Sequence, residues 1–336
     1  MHINRKLSFI FAGSLLLGLL LIFNNVPFGF ASASTPPGGS AAKVKQVLES
    51  KTESNELYSY KVTVSKHTSH SGRTREFTIY VPDINPNLPK PPFPTVLMAH
   101  GFLMTAKQQK ENGEYFARRG MVVIAPNITK LLLGEETRMN NIDDILDLLK
   151  WLTTESSYKE VIDVNRFAVG GNSSGGAVAL ELLIQMQKRN LPCRTACFLD
   201  GVPWDRSWAA VKELKPVNAL TLRAEDTLCN EKARMLKCLA PIPYSFDDVK
   251  IVGAHHCDAE APTTIGCLCV CGKSDPVHRA RFQRVLYLYL RDTLEAHNFE
   301  TPAESFADLM KTMQKEGTVE ARLTNLESHR QVEHTP

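Results

Sequence analysis

The feature that most restricts how this chain can fold is a glycine-rich segment, residues 171–176 with the sequence GNSSGG, between an apolar strand and a helix. An exposed residue on such a sharp strand-to-helix turn needs neighbours without a Cβ atom two positions before and after it, because a Cβ there would collide with adjoining backbone. Gly171 and Gly175 occupy those positions for Ser173, whereas Ser174 has no glycine two positions before it. The segment therefore predicts that Ser173 projects from the turn as a nucleophile.

Strand-like and helix-like segments alternate along the chain. Short apolar or alternating runs predict strands at residues 60–64, 74–81, 95–99, 121–125, 166–169, 195–199, 219–223 and 249–252. Apolar positions three and four apart predict helices at residues 106–118, 139–153, 174–188 and 276–297. Strands that alternate with helices favour an α/β fold, with a mostly parallel central sheet and helices on both faces.

The chain divides into four predicted regions: a signal peptide (1–33), a flexible lead-in (34–55), an α/β catalytic domain (56–300) and a C-terminal helical tail (301–336). The signal peptide is predicted because Arg5 and Lys6 precede an apolar run, and the small residues at 31–33 provide a cleavage site. A secreted or periplasmic protein is therefore expected. The alternative is an uncleaved anchor, and a membrane contact is expected only in that case.

A serine hydroxyl is a weak nucleophile until a base accepts its proton, so a histidine must come from elsewhere in the chain. His255 and His256 directly follow the predicted strand at 249–252, and parallel strands end where reactive groups gather. His256 is the expected base and His255 is the alternative, because spacing alone does not separate them.

The histidine in turn needs a carboxylate that orients its ring. Asp226 is the first candidate, because it follows the strand at 219–223 and gives the chain order serine, acid, histidine. Two alternatives remain open: Glu225, beside it, and Asp200, which follows the preceding strand at 195–199.

Acyl transfer also needs hydrogen-bond donors aimed at the oxyanion that develops on the substrate carbonyl. His100-Gly101-Phe102 follows the strand at 95–99, and Gly101 permits a turn that points the Phe102 N–H into the site. The Ser174 N–H is the second expected donor. His100 itself is expected to be a structural hydrogen-bonding residue.

The charge and cysteine content restrict the partners and the compartment. The net charge is only +3 and the basic residues are interspersed with acidic ones, so the basic stripe of a nucleic-acid-binding protein is missing. Eight cysteines in an exported chain predict disulfide bonds, although the sequence does not select among their pairings. A zinc site at Cys257, Cys267, Cys269 and Cys271 is not favoured, because the C-x-C-x-C spacing lacks the usual C-x₂-C knuckle.

Together these segments resemble the α/β-hydrolase superfamily, and in particular the branch of cutinase-like bacterial polyester hydrolases, dienelactone hydrolases and chlorophyllases. The resemblance covers about residues 60–297 in element order, and residues 171–176 are its most specific motif. It implies that Trp204 flanks the cleft and holds the acyl part of a substrate, against the alternative of a buried core residue. The branch often has His or Trp before the nucleophile and Met after it, where this chain has Asn172 and Ser174.

The sequence thus predicts a serine hydrolase that cleaves carboxylic esters through an acyl-enzyme on Ser173, without a metal or organic cofactor. The expected substrates are small-molecule, lipid or polyester esters, and the oligomeric state stays open. The alternatives are a non-catalytic binding protein of the same fold, and an acyltransferase or peptidase that uses the same residues.

Overall fold

The structure of this chain is a computed structural model that describes residues 58–128, 134–242, 246–296 and 304–324. All of these residues belong to one unit, which spans residues 49–336. The predicted signal peptide and flexible lead-in lie outside the described residues. Across the four described ranges, no helix combines the length and the apolar character needed to cross a bilayer.

A nine-stranded sheet passes through this unit. In chain order its strands are β1 (Tyr60–Thr68), β2 (Thr74–Pro82), β3 (Phe93–Ala99), β4 (Val122–Pro126), β5 (Ile162–Asn172), β6 (Thr195–Leu199), β7 (Asn218–Arg223), β8 (Asp247–Ile251) and β9 (Val319–Arg322). They lie side by side in the order β1-β2-β4-β3-β5-β6-β7-β8-β9. Every pairing from β4 to β8 is parallel. The strands β1, β2 and β9 pair antiparallel with their neighbours at the two edges.

Helices cover both faces of the sheet. In chain order they are α1 (Lys110–Ala117), α2 (Glu135–Thr154), α3 (Ser174–Lys188), α4 (Ser207–Ala210), α5 (Arg234–Leu239), α6 (Ile265–Cys271), α7 (Pro276–Thr293) and α8 (Phe306–Lys315). Buried residues of α2 and α3 share one core cluster with Leu97 and Ala99 of β3. Buried residues of α1, α7 and α8 share the other cluster with Val96 and Met98. Successive β3 residues thus face opposite helix layers, as the two-residue period of a strand requires, and the predicted α/β class is confirmed.

Apolar periodicity explains why the helices dock where they do. In α2 the residues Ile142, Ile145, Leu149 and Leu152 are buried, which is the apolar face that the sequence predicts. Complete burial of one such side chain contributes roughly 1.5–3 kcal/mol. The helix predicted at 106–118 begins with a short 3₁₀ turn over Ala106–Gln109 before α1.

The C-terminal region differs from the prediction of a helical tail. The helix α8 is present, and its apolar residues Phe306, Leu309, Met310 and Met313 are buried. The chain then forms β9, which pairs antiparallel with β8. The β9 sequence, VEAR, is too short and too charged to be predicted as a strand, yet such composition is typical of a sheet edge.

Candidate active site

Ser173 occupies the turn between β5 and α3, at the carboxyl edge of the parallel strands. Its backbone has φ 54° and ψ −123°, a left-handed conformation that is costly for a residue with a Cβ atom. A Cβ added to Gly171 would lie 2.2 Å from the Gly175 carbonyl oxygen. A Cβ added to Gly175 would lie 2.3 Å from the Ala99 carbonyl oxygen. The close backbone approach therefore requires both glycines, for the reason that the sequence predicts.

Backbone hydrogen bonds hold Ser173 in this conformation. Its N–H donates to the Leu199 carbonyl at 3.0 Å, and its own carbonyl accepts from the N–H groups of Gly176 and Val202, both at 2.9 Å. Because β6, the loop that follows it and the start of α3 supply these partners, the surrounding fold offsets the strain at Ser173.

His256 lies in a 3₁₀ turn over His256–Ala259 that follows β8, and it is 4% exposed. Its Nε2 lies 3.0 Å from Ser173 Oγ. Its Nδ1 lies 2.5 Å from Asp200 Oδ2. Protonation of Nδ1 leaves Nε2 as the acceptor for the serine hydroxyl, so the three side chains can move a proton from Ser173 to His256. The neighbouring His255 begins the same turn and donates its backbone N–H to Asp258 Oδ2 at 2.8 Å.

The carboxylate that contacts His256 is that of Asp200 and not that of Asp226, the first candidate from the sequence. Asp200 is the first residue after β6, and its φ of 44° turns its buried side chain toward His256. Asp226 lies three residues beyond β7, its side chain is 55% exposed, and it pairs with Arg223 at 3.3 Å. The loop after β7 therefore turns the Asp226 carboxylate into solvent, away from the imidazole.

The alternative acid Glu225 is also engaged elsewhere. It accepts a hydrogen bond from the Gly253 N–H at 3.0 Å and pairs with Lys250 at 3.4 Å. The Gly253 hydrogen bond and the nearby Lys250 hold the pKa of Glu225 below its usual value. These contacts join the loop after β7 to the loop after β8.

The two expected oxyanion donors belong to different elements. Phe102 is half-buried in the turn after β3, and Ser174 is the first residue of α3. The first N–H groups of a helix have no partner within the helix, so the Ser174 N–H is suited to an anion. The Ser174 hydroxyl is buried, and no hydrogen-bond partner for it lies within the described residues.

Asn172, which departs from the resembled branch, lies under the site and is buried. Its Oδ1 accepts from Gln109 Nε2 at 2.8 Å, and Gln109 also donates to the Ala99 carbonyl at 3.3 Å. The Asn172 amide nitrogen lies 3.8 Å from Met104 Sδ in the turn that contains Phe102. Asn172 therefore connects the turn that contains Ser173 to the turn that contains Phe102. Residue patterns in the sequence do not indicate this network.

His100 is a structural residue, in keeping with its expected role. Its Nδ1–H donates to the Gly101 carbonyl at 2.8 Å, and its Nε2 accepts from the Ile128 N–H at 2.8 Å. Burial lowers the pKa of His100 to about 4, against an opposing contribution from the Gly101 hydrogen bond. The ring is therefore neutral near pH 7 and supports the turn before Phe102.

A second buried carboxyl group, Glu260, lies near the histidine. Burial raises the pKa of Glu260, while hydrogen bonds from Thr264 and the charge of His256 oppose that shift. Its Oε2 accepts from the Thr264 N–H at 3.0 Å, which ties the loop after His256 to the start of α6.

Two disulfides connect α6 to the loops that follow β7 and β8, which confirms the prediction of disulfide bonding. Cys257, next to His256, pairs with Cys267 of α6. Cys229, in the loop after β7, pairs with Cys271 at the end of α6. The free cysteines are Cys193, Cys197, Cys238 and the exposed Cys269. In the described ranges, no three His, Cys, Asp or Glu side chains are arranged to hold a metal ion.

Trp204 is only 7% exposed and belongs to the core cluster that includes α3. The Arg138 guanidinium lies 5.4 Å from its ring centroid. This environment favours the packing role over the substrate-binding role that the resemblance implies.

Comparison with known families gives an independent line of evidence. The model of the Chlorophyllase family, an α/β-hydrolase-type family, matches residues 51–212, just under half of the chain. The matched range includes Ser173 and Asp200 and ends before His256. No curated protein matches the chain. The sheet order and this match together identify the fold as that of the α/β-hydrolases, which confirms the resemblance inferred from the sequence.

Proposed function

We propose that this α/β-hydrolase-fold protein is a serine esterase that cleaves carboxylic esters through an acyl-enzyme on Ser173. The observation that supports it most directly is the chain of contacts from Ser173 Oγ to His256 Nε2 at 3.0 Å and from His256 Nδ1 to Asp200 Oδ2 at 2.5 Å. A serine, a histidine and a buried carboxylate in that order can activate a hydroxyl. The similarity to the Chlorophyllase family supports the broader class of hydrolase.

In the proposed reaction His256 accepts the proton of the Ser173 hydroxyl as its oxygen attacks the ester carbonyl. Asp200 holds Nδ1–H and stabilises the imidazolium that results. The N–H groups of Phe102 and Ser174 donate to the oxyanion of the tetrahedral intermediate. The imidazolium then protonates the departing alcohol, and water, activated by the same histidine, releases the acid from Ser173.

We also propose a class of substrate and a cellular compartment for this protein. Small-molecule, lipid or polyester esters are proposed as substrates, and none of the proposed steps uses a cofactor. Two disulfides near the site support an oxidising compartment, because such bonds persist outside the reducing cytosol. We therefore propose a secreted or periplasmic protein.

The alternative of a non-catalytic binding protein is not favoured. A binding protein needs neither a strained serine nor a buried carboxylate against a histidine, and both features cost stability. An acyltransferase or a peptidase would use the same residues, so substrate assays distinguish those activities from ester hydrolysis.

Labelling with a fluorophosphonate, which reacts with activated serines, tests the nucleophile. We expect the parent protein to be labelled and Ser173→Ala to lose labelling and p-nitrophenyl ester hydrolysis together. Ser157→Ala, a substitution of an exposed serine, is the matched control and should label like the parent. Labelling that survives in Ser173→Ala would reject the assignment, and the dependence of hydrolysis on acyl chain length would report the pocket size.

A further inference from the structure

The loop after β7, where the sequence predicts the catalytic acid, supplies a different side chain to the site. Asn230 in this loop is 1% exposed and points at Asp200. Its amide nitrogen lies 3.0 Å from Asp200 Oδ1 and 3.2 Å from Oδ2, and it also donates to the Glu225 carbonyl at 2.8 Å. Asn230 therefore contacts the carboxylate that holds His256.

The other end of the Asn230 amide fixes the loop itself. Its Oδ1 accepts from the backbone N–H of Thr227 at 2.9 Å and from that of Ala233 at 3.2 Å. Both ends of the amide are thus occupied, so its orientation is determined by the hydrogen-bond network. An amide held in this way can orient a carboxylate without adding charge.

Asp200 receives few other donors. The Ala224 N–H donates to Asp200 Oδ1 at 2.9 Å, and His256 occupies Oδ2. Hydrogen bonds to a carboxylate favour its charged form and restrict its rotation. Asn230 thus supplies a side-chain donor that restricts the rotation of the Asp200 carboxylate and keeps it aimed at the imidazole.

The backbone around Asn230 needs an external constraint. Glu231, Lys232 and Ala233 follow it with φ values of 49°, 56° and 57°, in the left-handed region that residues with a Cβ atom rarely adopt in succession. Cys229, directly before Asn230, is bonded to Cys271 of α6. The disulfide ties this loop to the helix that Cys257 and Cys267 join to the histidine loop.

We propose that Asn230 is a positioning residue for Asp200 and that the Cys229–Cys271 disulfide holds Asn230 in place. The inference rests on the proposed esterase function. It assigns to the loop after β7 a role in orienting the acid, which itself comes from the loop after β6.

The test compares Asn230→Asp and Asn230→Ala with the parent in p-nitrophenyl ester hydrolysis across pH. Asn230→Asp keeps an oxygen that accepts from the Thr227 and Ala233 N–H groups. It replaces only the amide nitrogen that donates to Asp200. At low pH the introduced carboxyl group is protonated and can still donate to Asp200, whereas at higher pH two ionised carboxylates repel. We expect kcat of Asn230→Asp to fall progressively below that of the parent as pH rises. Asn230→Ala should lose about 10- to 100-fold in kcat at every pH, with KM little changed.

Thr195→Val is the matched control, because it removes a buried hydrogen bond to Thr293 at the far end of β6. We expect it to lower the melting temperature while kcat and its pH profile stay those of the parent.

A parent-like pH profile in a folded Asn230→Asp protein would overturn the inference. If neither Asn230 variant folds, the Cys229→Ser/Cys271→Ser protein decides: reduced kcat at constant KM supports the inference, and unchanged kcat overturns it. Absence of fluorophosphonate labelling in the parent would instead overturn the proposed function.

Discussion

At the scale of single residues, the backbone conformations of Ser173 and Asp200 determine where their side chains point. Ser173 and Asp200 both have positive φ, 54° and 44°, in a region where residues with a Cβ atom are rare. Each such residue costs of order 1–3 kcal/mol, which the surrounding structure must offset. The strained backbone turns the Ser173 side chain out of the bend between β5 and α3. It turns the Asp200 side chain toward His256.

If Asp200 and not Asp226 orients His256, substitutions at the two positions should affect kcat very differently. Asp200→Asn should lower kcat by about 10⁴, because an amide cannot hold the Nδ1–H tautomer or stabilise the imidazolium. Asp226→Asn removes only a half-exposed carboxylate paired with Arg223, so its kcat should stay within about twofold of the parent. Steady-state hydrolysis of a p-nitrophenyl ester measures both. A large loss in Asp226→Asn with a parent-like Asp200→Asn would reverse the assignment.

At the scale of elements, α6 fastens the loop that contains His256 to the loop that contains Asn230. One disulfide joins α6 to the residue after His256, and the other joins it to the residue before Asn230. Since α6 is short and mostly exposed, its covalent links matter more to its position than its own packing.

The two disulfides should differ in their effect on stability. They enclose sequence separations of 42 and 10 residues, for Cys229–Cys271 and Cys257–Cys267 respectively. From chain entropy, removal of the longer link should cost about 4 kcal/mol and removal of the shorter link about 3 kcal/mol. Denaturant unfolding of the two double-serine variants measures the difference, with Cys269→Ser, which loses only an exposed free thiol, as the control. Equal stability of all three proteins and the parent would show that neither disulfide constrains the fold.

At the scale of the whole molecule, the C-terminal segment completes the sheet and one helix layer. Phe306 of α8 is fully buried and packs edge-on against Tyr289 of α7, with ring centroids 5.0 Å apart. The strand β9 then covers the edge of β8, the strand that leads to His256. The C-terminal segment therefore contributes both to the sheet beside the strand that leads to His256 and to the helix layer that contains α7.

Phe306→Ala should destabilise the protein by about 3–5 kcal/mol, because it removes a large buried side chain and leaves a cavity. Val64→Ala, at a position 62% exposed on β1, is the control and should change stability by less than about 0.5 kcal/mol. Chemical denaturation measures both. A parent-like midpoint for Phe306→Ala would mean that the C-terminal segment is dispensable to the fold.

The sequence by itself determined the features that depend on neighbouring residues. Apolar periodicity indicated the strands and major helices, and the spacing of Gly171 and Gly175 singled out Ser173. A histidine after β8 also followed from local pattern. Only the tertiary structure brings Asp200 rather than Asp226 to His256, because that contact depends on how two loops turn after adjacent strands. The same holds for the cysteine pairs, for β9 and for Asn230, since each is defined by a partner distant in the chain that no local spacing encodes.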